Sequence, residues 1–181
     1  MELLYYPDPR LRAVARPVKK AEGSLQDTVR SMFQTMYETR GIGLAAPQVG
    51  LGIRVIVANL TADPQRPNSE EVYINPEILE RSGEIKEEEA CLSLPGLFSI
   101  IPRSAEISVR FTDLEGKVRT VKAKELHARL FEHEIDHLDG ILIIDRLTPA
   151  ERSKWSPLLK ELEADAKKKV RRPRQLSKAG L

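Results

Sequence analysis

The chain has 181 residues with 29 Lys+Arg against 27 Asp+Glu, a length that suits one domain and a balance that creates no global field for nucleic acid or membrane. No run of ~18 apolar residues occurs, and Met1 to Pro7 lacks a basic start followed by an apolar stretch, so the expectation is a soluble, cytoplasmic protein with no membrane partner. The single cysteine, Cys91, cannot close an intramolecular disulfide, which leaves its thiol for metal or reactivity.

Residues 1 to 23, with Pro7, Pro9, Pro17 and Gly23, read as an extended lead-in. Ser24 with Asp27 three residues on is an N-cap signal. Leu25, Val29, Met32, Phe33, Met36 and Tyr37 then follow at helical spacing as far as Arg40, with Gly41 as the expected C-cap and Met32 and Met36 as core. Ile53 to Val57 reads as a buried strand, and the Pro, Asn and Asp cluster from Thr61 to Asn68 as a loop. Glu106 to Phe111 and Val118 to Lys122 alternate apolar with polar about Asp113-Leu114-Glu115-Gly116, the pattern of a hairpin. A helix over Glu125 to Asp139 closes at Gly140, Ile141 to Ile144 read as a short strand, and Thr148-Pro149-Ala150-Glu151 is a capping box that opens a final helix. The sum is an α+β fold. Short mixed or antiparallel strands pack around the central helix over Glu125 to Asp139, with an N-terminal and a C-terminal helix. Residues 1–166 are expected to be one domain, and 167–181 a basic, flexible C-terminal tail.

The chemistry lies in His133-Glu134-Ile135-Asp136-His137. Residues four apart stack on one helix face, so both imidazoles can reach one ion, while Glu134, about 100° round the helix, can reach a water on that ion. Two histidines leave a hydrolytic metal short of a third protein ligand. Glu151, Glu161 and Glu163 downstream are conceivable. Upstream, Cys91 is the better candidate, because the polar stretch Glu89-Ala90-Cys91-Leu92-Ser93 would not ordinarily host an inert core cysteine. His127, six residues before His133, falls on another face and reads as a structural histidine. Gly41-Ile42-Gly43-Leu44-Ala45-Ala46 fits a relaxed dinucleotide fingerprint, but a helix precedes it instead of a strand, which excludes that reading.

Three segments, Gly41 to Gln48, Glu89 to Ser93 and His133 to Leu138, together resemble in order and spacing the three motifs of the peptide deformylase family. The resemblance extends through Tyr6 to Arg12, Pro102-Arg103 and His137 to Gly140, roughly residues 3 to 147. It implies a metal hydrolase that removes the N-formyl group from the initiator methionine of new proteins and releases formate. By the same resemblance Cys91, His133 and His137 are the metal ligands and Glu134 the general base. The Gln48 amide and the Leu92 N–H stabilise the oxyanion, and Ile42, Gly43, Leu126 and Leu130 lie near the substrate. A thiolate with two imidazoles accepts Fe(II), Zn(II), Co(II) or Ni(II), and the family preference is one Fe(II).

Two positions depart from the family pattern. Ala90 stands where relatives carry Gly, and Glu132 where they carry Gln. If the backbone at Ala90 has φ < 0, alanine costs nothing there. Glu132 would either raise the basicity of a ligand histidine or face solvent. The partners implied are formyl-methionyl nascent peptides and, through the basic tail, the ribosome, with a monomer expected. A solvated, frayed helix end is the plain alternative for the tail. A zinc peptidase with a downstream Glu ligand competes with this reading. So does a noncatalytic metal-stapled RNA-binding module, which has no use for Glu134 or Gln48.

Overall fold

A computed structural model describes residues 1–19 and 23–171. The amphipathic segment of the sequence forms α1 over Gly23–Glu38, beginning one residue ahead of Ser24, so the N-cap expected there falls inside the first turn. Arg40, not Gly41, takes the left-handed position after α1, with φ 58°. Its N–H bonds Tyr37 O at 3.0 Å and the Gly41 N–H bonds Met36 O at 2.9 Å, the paired closure of a Schellman end. At Gly41 a Cβ would lie 2.8 Å from Leu92 Cδ1, a side-chain end that can shift.

Seven strands follow, β1 (Gly43–Ala45), β2 (Val55–Ala58), β3 (Glu71–Ser82), β4 (Ile85–Cys91), β5 (Leu94–Arg103), β6 (Glu106–Thr112) and β7 (Val118–Lys124). The expected mixture resolves into antiparallel pairing throughout, in a five-stranded sheet ordered β1-β2-β3-β6-β7 and a separate β4–β5 hairpin. Among the described residues, parallel pairing is confined to an isolated bridge between Arg16 and Ile53. The hairpin expected around Gly116 is β6–β7, with Gly116 at φ 80°.

All four residues of β2 are buried because both of its faces are covered. Val55 and Val57 pack with Val29, Met32, Phe33 and Met36 of α1, while Ile56 and Ala58 pack on the opposite side with Ala128, Phe131 and Ile135 of α2 (Glu125–Leu138). Continuous rather than alternating hydrophobicity is what a strand buried on both faces requires. A third cluster joins Cys91, Leu94, Leu97 and Ile101 of the β4–β5 hairpin to Leu11, Leu142 to Ile144 and Leu159. α2 packs on the sheet through Ala128, Phe131 and Ile135 and meets the hairpin through Asp136 with Arg103 and His137 with Cys91.

The end of α2 is fixed by Gly140 at φ 73°, whose N–H bonds His137 O while the Ile141 N–H bonds Asp136 O at 2.9 Å. A Cβ at Gly140 would stand 2.5 Å from the Arg12 carbonyl oxygen. Gly140→Ala is expected to cost more than the roughly 1–2 kcal/mol of left-handed backbone alone, read as a lowered urea midpoint. The strand expected over Ile141 to Ile144 is instead a 3-10 turn, Ile143–Asp145, because Asp145 accepts the Leu142 N–H at 2.9 Å and curls the chain. The Thr148 capping box forms as expected: Glu151 accepts the Thr148 N–H at 3.0 Å, and the Thr148 hydroxyl accepts the Glu151 N–H at 3.3 Å. It opens α3 (Pro149–Arg171), a continuous helix that enters the segment read as tail. The remainder of that tail, residues 172–181, lies outside the described residues.

Candidate metal centre and active site

The lead-in is a strap. Leu4 N–H bonds Gln48 O at 2.7 Å and Tyr6 N–H bonds Ser93 O at 2.9 Å, which stitches the turn after β1 to the turn after β4. These two turns carry Gln48 and Cys91. Gln48 sits in a 3-10 turn over Ala46–Val49 and is 1% exposed. Its Oε1 accepts the Ala45 N–H at 2.8 Å, which leaves Nε2 to donate to Ser93 Oγ at 3.3 Å and to point at Cys91 Sγ from 3.9 Å. Cys91 ends β4, where the pairing register slips before the chain turns through Leu92 and Ser93 into β5.

His133 and His137 project from one face of α2 with ring centroids 5.0 Å apart. Their nitrogens and Cys91 Sγ all lie within 4.8 Å of one another, and Sγ stands 3.2 Å from His137 Nε2. Tetrahedral ligands at the usual Zn–N and Zn–S bond lengths are separated by about 3.5 Å, so one divalent ion fits these donors. Burial raises the Cys91 pKa, but the adjoining His137 and His133 outweigh it and bring the thiol down to about 5. A ready thiolate with two imidazoles suits a borderline metal. Glu151 and Glu163 are engaged elsewhere, by Thr148, Ser99 and Tyr6, and no downstream carboxylate joins the cluster among the described residues.

Glu134 is 5% exposed, and burial raises its pKa despite the nearby His133 and His137. Its Oε2 is buried with no hydrogen-bond partner among the described residues, which suits a carboxylate that exchanges a proton with a ligand. Gly43 passes so close that a Cβ would meet Glu134 Oε1 at 2.8 Å. Gln48, Cys91, His133 and Glu134 line one cavity of about 540 Å³. Ile42, Gly43, Leu92 and Leu130 supply further wall, and Leu126, 43% exposed, stands at the rim. The residues expected to hold the metal, act as base, stabilise the oxyanion or meet the substrate thus come together, His137 being buried beside Cys91 and absent from the cavity lining.

A buried ionic chain supports the ligands, and nothing in the motif spacing announced it. Glu89 accepts a hydrogen bond from His133 Nδ1 at 3.1 Å and is held by Arg103 through Nε at 3.0 Å and Nη2 at 3.1 Å. The remaining Arg103 nitrogen, Nη1, reaches Asp136 at 2.7 Å, and Asp136 is also bound by Arg146. Burial would raise the Glu89 pKa, yet His133 and Arg103 hold it down to about 2. Such a carboxylate fixes the tautomer of its histidine and leaves Nε2 for a metal.

His127 lies outside the cluster as expected, 3.1 Å from the Tyr73 hydroxyl and stacked on Phe131. Neither expectation for Glu132 holds: it accepts from the Ser104 N–H and hydroxyl and from Arg81, tying α2 to the chain after β5. Ala90 is not among the residues with positive φ, so alanine fits without strain. Ala90→Gly is expected to destabilise the protein by about 0.4–1 kcal/mol through unfolded-chain entropy, with a matching drop in melting temperature.

The fold and donor set define a metal-dependent hydrolase. The sequence profile of polypeptide deformylase matches residues 1–153. A peptide deformylase of Hamiltonella defensa is 40% identical over 169 residues, covering 93% of this chain and 97% of that protein. One from Neisseria gonorrhoeae is 41% identical over 161 residues, covering 89% and 95%. A crystal structure of peptide deformylase from Plasmodium falciparum superimposes with a TM-score of 0.89 at 40% identity, covering 92% of this chain and 97% of that one. The chain belongs to the polypeptide deformylase family, metal-dependent hydrolases that remove the formyl group from formyl-methionine on nascent peptides.

Proposed function

We propose that Cys91, His133 and His137 hold one divalent ion, Fe(II) by preference, and that the cavity they border deformylates formyl-methionyl peptides through Glu134, Gln48 and the Leu92 N–H. The observation that carries this reading is the convergence of Gln48, Cys91, His133 and Glu134 on one cavity. The ion supplies Lewis-acid activation of water and of the formyl carbonyl. Glu134 Oε2 takes the proton from the attacking water and returns it to the departing amine nitrogen as the C–N bond breaks, giving formate and a free N-terminus. The Gln48 Nε2 amide and the Leu92 N–H donate to the oxygen that becomes negative in the tetrahedral intermediate. Gln48 is pre-aimed for this, because its Oε1 is already fixed on Ala45. Ile42, Gly43, Leu126 and Leu130 take the methionine side chain.

The test is formate release from a formyl-methionyl peptide by anaerobically prepared protein, with metal content measured on the same sample. Metal bound at one per chain without formate release would overturn the reading.

We further infer a cytoplasmic monomer in which residues 1–166 are the catalytic domain and the basic segment from 167 adds salt-sensitive affinity for ribosomal RNA. No helix among the described residues is long and apolar enough to cross a membrane. Ending the chain at Ala166 retains Leu159 in the core and the Tyr6–Glu163 contact. The truncated protein is expected to keep its activity on short formyl peptides and to sediment less with ribosomes at low salt. Lost peptide activity would show that the segment packs on the domain.

A further inference from the structure

Glu163, conceivable from the sequence as a ligand, instead accepts the Tyr6 hydroxyl at 2.6 Å. It lies one helical turn after Leu159, so the two side chains leave the same side of α3. Leu159 is buried in the cluster that also holds Leu4 and Leu11, and Tyr6 packs on that cluster. α3 therefore grips the strap twice, through apolar contact and through a hydrogen bond to a carboxylate, a class about twice as strong as a neutral one. Burial, and after it the Glu163 hydrogen bond, raises the Tyr6 pKa, so the phenol stays the donor.

The strap in turn holds Gln48 by two routes. Leu4 N–H bonds the Gln48 carbonyl at 2.7 Å, and two residues on the Tyr6 N–H bonds the Ser93 carbonyl at 2.9 Å. The Ser93 hydroxyl accepts Gln48 Nε2 at 3.3 Å, and both residues are buried. Tyr6 thus reaches α3 with its side chain and the Ser93 turn with its main chain. A donor that has to meet a developing oxyanion is sensitive to aim, and a misplacement of about 1 Å can cost about 10² in rate. We propose that Tyr6 and Glu163 are positioning residues, a latch between α3 and the strap that aims the Gln48 amide at the reacting carbonyl. The latch rests on the assignment of Gln48 as an oxyanion donor.

The experiment measures kcat and KM for formate release from formyl-Met-Ala amide by the full chain, normalised to bound metal. Tyr6→Phe and Glu163→Leu are each expected to lower kcat by about tenfold with KM within about twofold, the signature of a contact made only in the transition state. Glu163→Gln keeps an oxygen for the Tyr6 hydroxyl and should hold kcat within about threefold of the parent. In a Gln48→Ala chain, itself slower by about 10²–10³, neither change should cost more than about a further twofold, because the donor they aim is gone. Parent-like kcat in Tyr6→Phe and Glu163→Leu, or a loss that persists in full beside Gln48→Ala, overturns the latch and leaves the role of Gln48 standing. Parent-like kcat in Gln48→Ala would instead refute that role, and the latch with it.

Discussion

Glu134→Gln is expected to lower kcat/KM by about 10²–10⁴ while leaving metal stoichiometry and melting temperature near those of the parent. Glutamine has the same shape and can still accept a hydrogen bond, but its amide has no basic oxygen to take a proton from water. Burial pushes the carboxylate's pKa above the ordinary value, which strengthens it as a proton acceptor. The change should leave the ion in place, since the cluster of close donors comprises Cys91, His133 and His137 without Glu134. Metal analysis and formate release on one sample check both halves. Loss of metal in the variant would make Glu134 a ligand and remove it from the role of base.

The parts of this fold that could be read from sequence are those whose signal is local. α2 declared itself by apolar spacing and by imidazoles four residues apart, and the capping box at Thr148 needed only four residues. β3, β4 and β5 were not delimited, for three physical reasons. β3 is interrupted near Asn75-Pro76, where Asn75 has φ 51° and the pairing with β6 slips between Ile74 and Glu77. β4 carries Lys86, Glu87, Glu88 and Glu89 in succession, a run that resembles a solvated loop until its partner strand is known. β5 contains Pro95, Gly96 and Pro102, each a local sign of a turn.

The site divides in the same way. The proposed ligands and base are legible because they fall within motifs, and the strap across Gln48 and Ser93 draws the Gln48 turn and the Cys91 turn together. The supporting chain was not legible, because Glu89 meets Arg103 across 14 residues and Arg103 meets Asp136 across 33. The available hint was chemical: Glu89 stands two residues before one ligand and Asp136 immediately before another, and carboxylates so placed have to find cations when the ligands are buried.

Arg103→Met should be the most damaging change away from the reacting groups. Arg103 and Glu89 are 4% and 6% exposed at their side chains, and removing the cation leaves Glu89 buried without its forked partner. Breaking a buried pair from one side costs about 3–5 kcal/mol. Because Glu89 orients His133, affinity for the metal is expected to fall by about 10–100-fold as well. Arg103→Lys should recover little, since an ammonium cannot use three nitrogens to hold both faces of Glu89 and the Asp136 oxygen together. The Glu89 pKa, held at about 2 in the folded protein against 4.5 for a free side chain, gives the sign of the pH effect. Its contribution is complete above 4.5 and is lost as the pH falls towards 2; in the Met variant the folded pKa rises towards the free value or past it, so this acid loss should shrink or reverse. Urea unfolding across this range, paired with a chelator competition at neutral pH, separates the two consequences. Reduced stability with unchanged metal affinity would confine Arg103 to holding the fold, whereas a loss of both, smaller in Glu89→Gln/Arg103→Met than the sum of the single variants, is the outcome expected of one coupled support for His133.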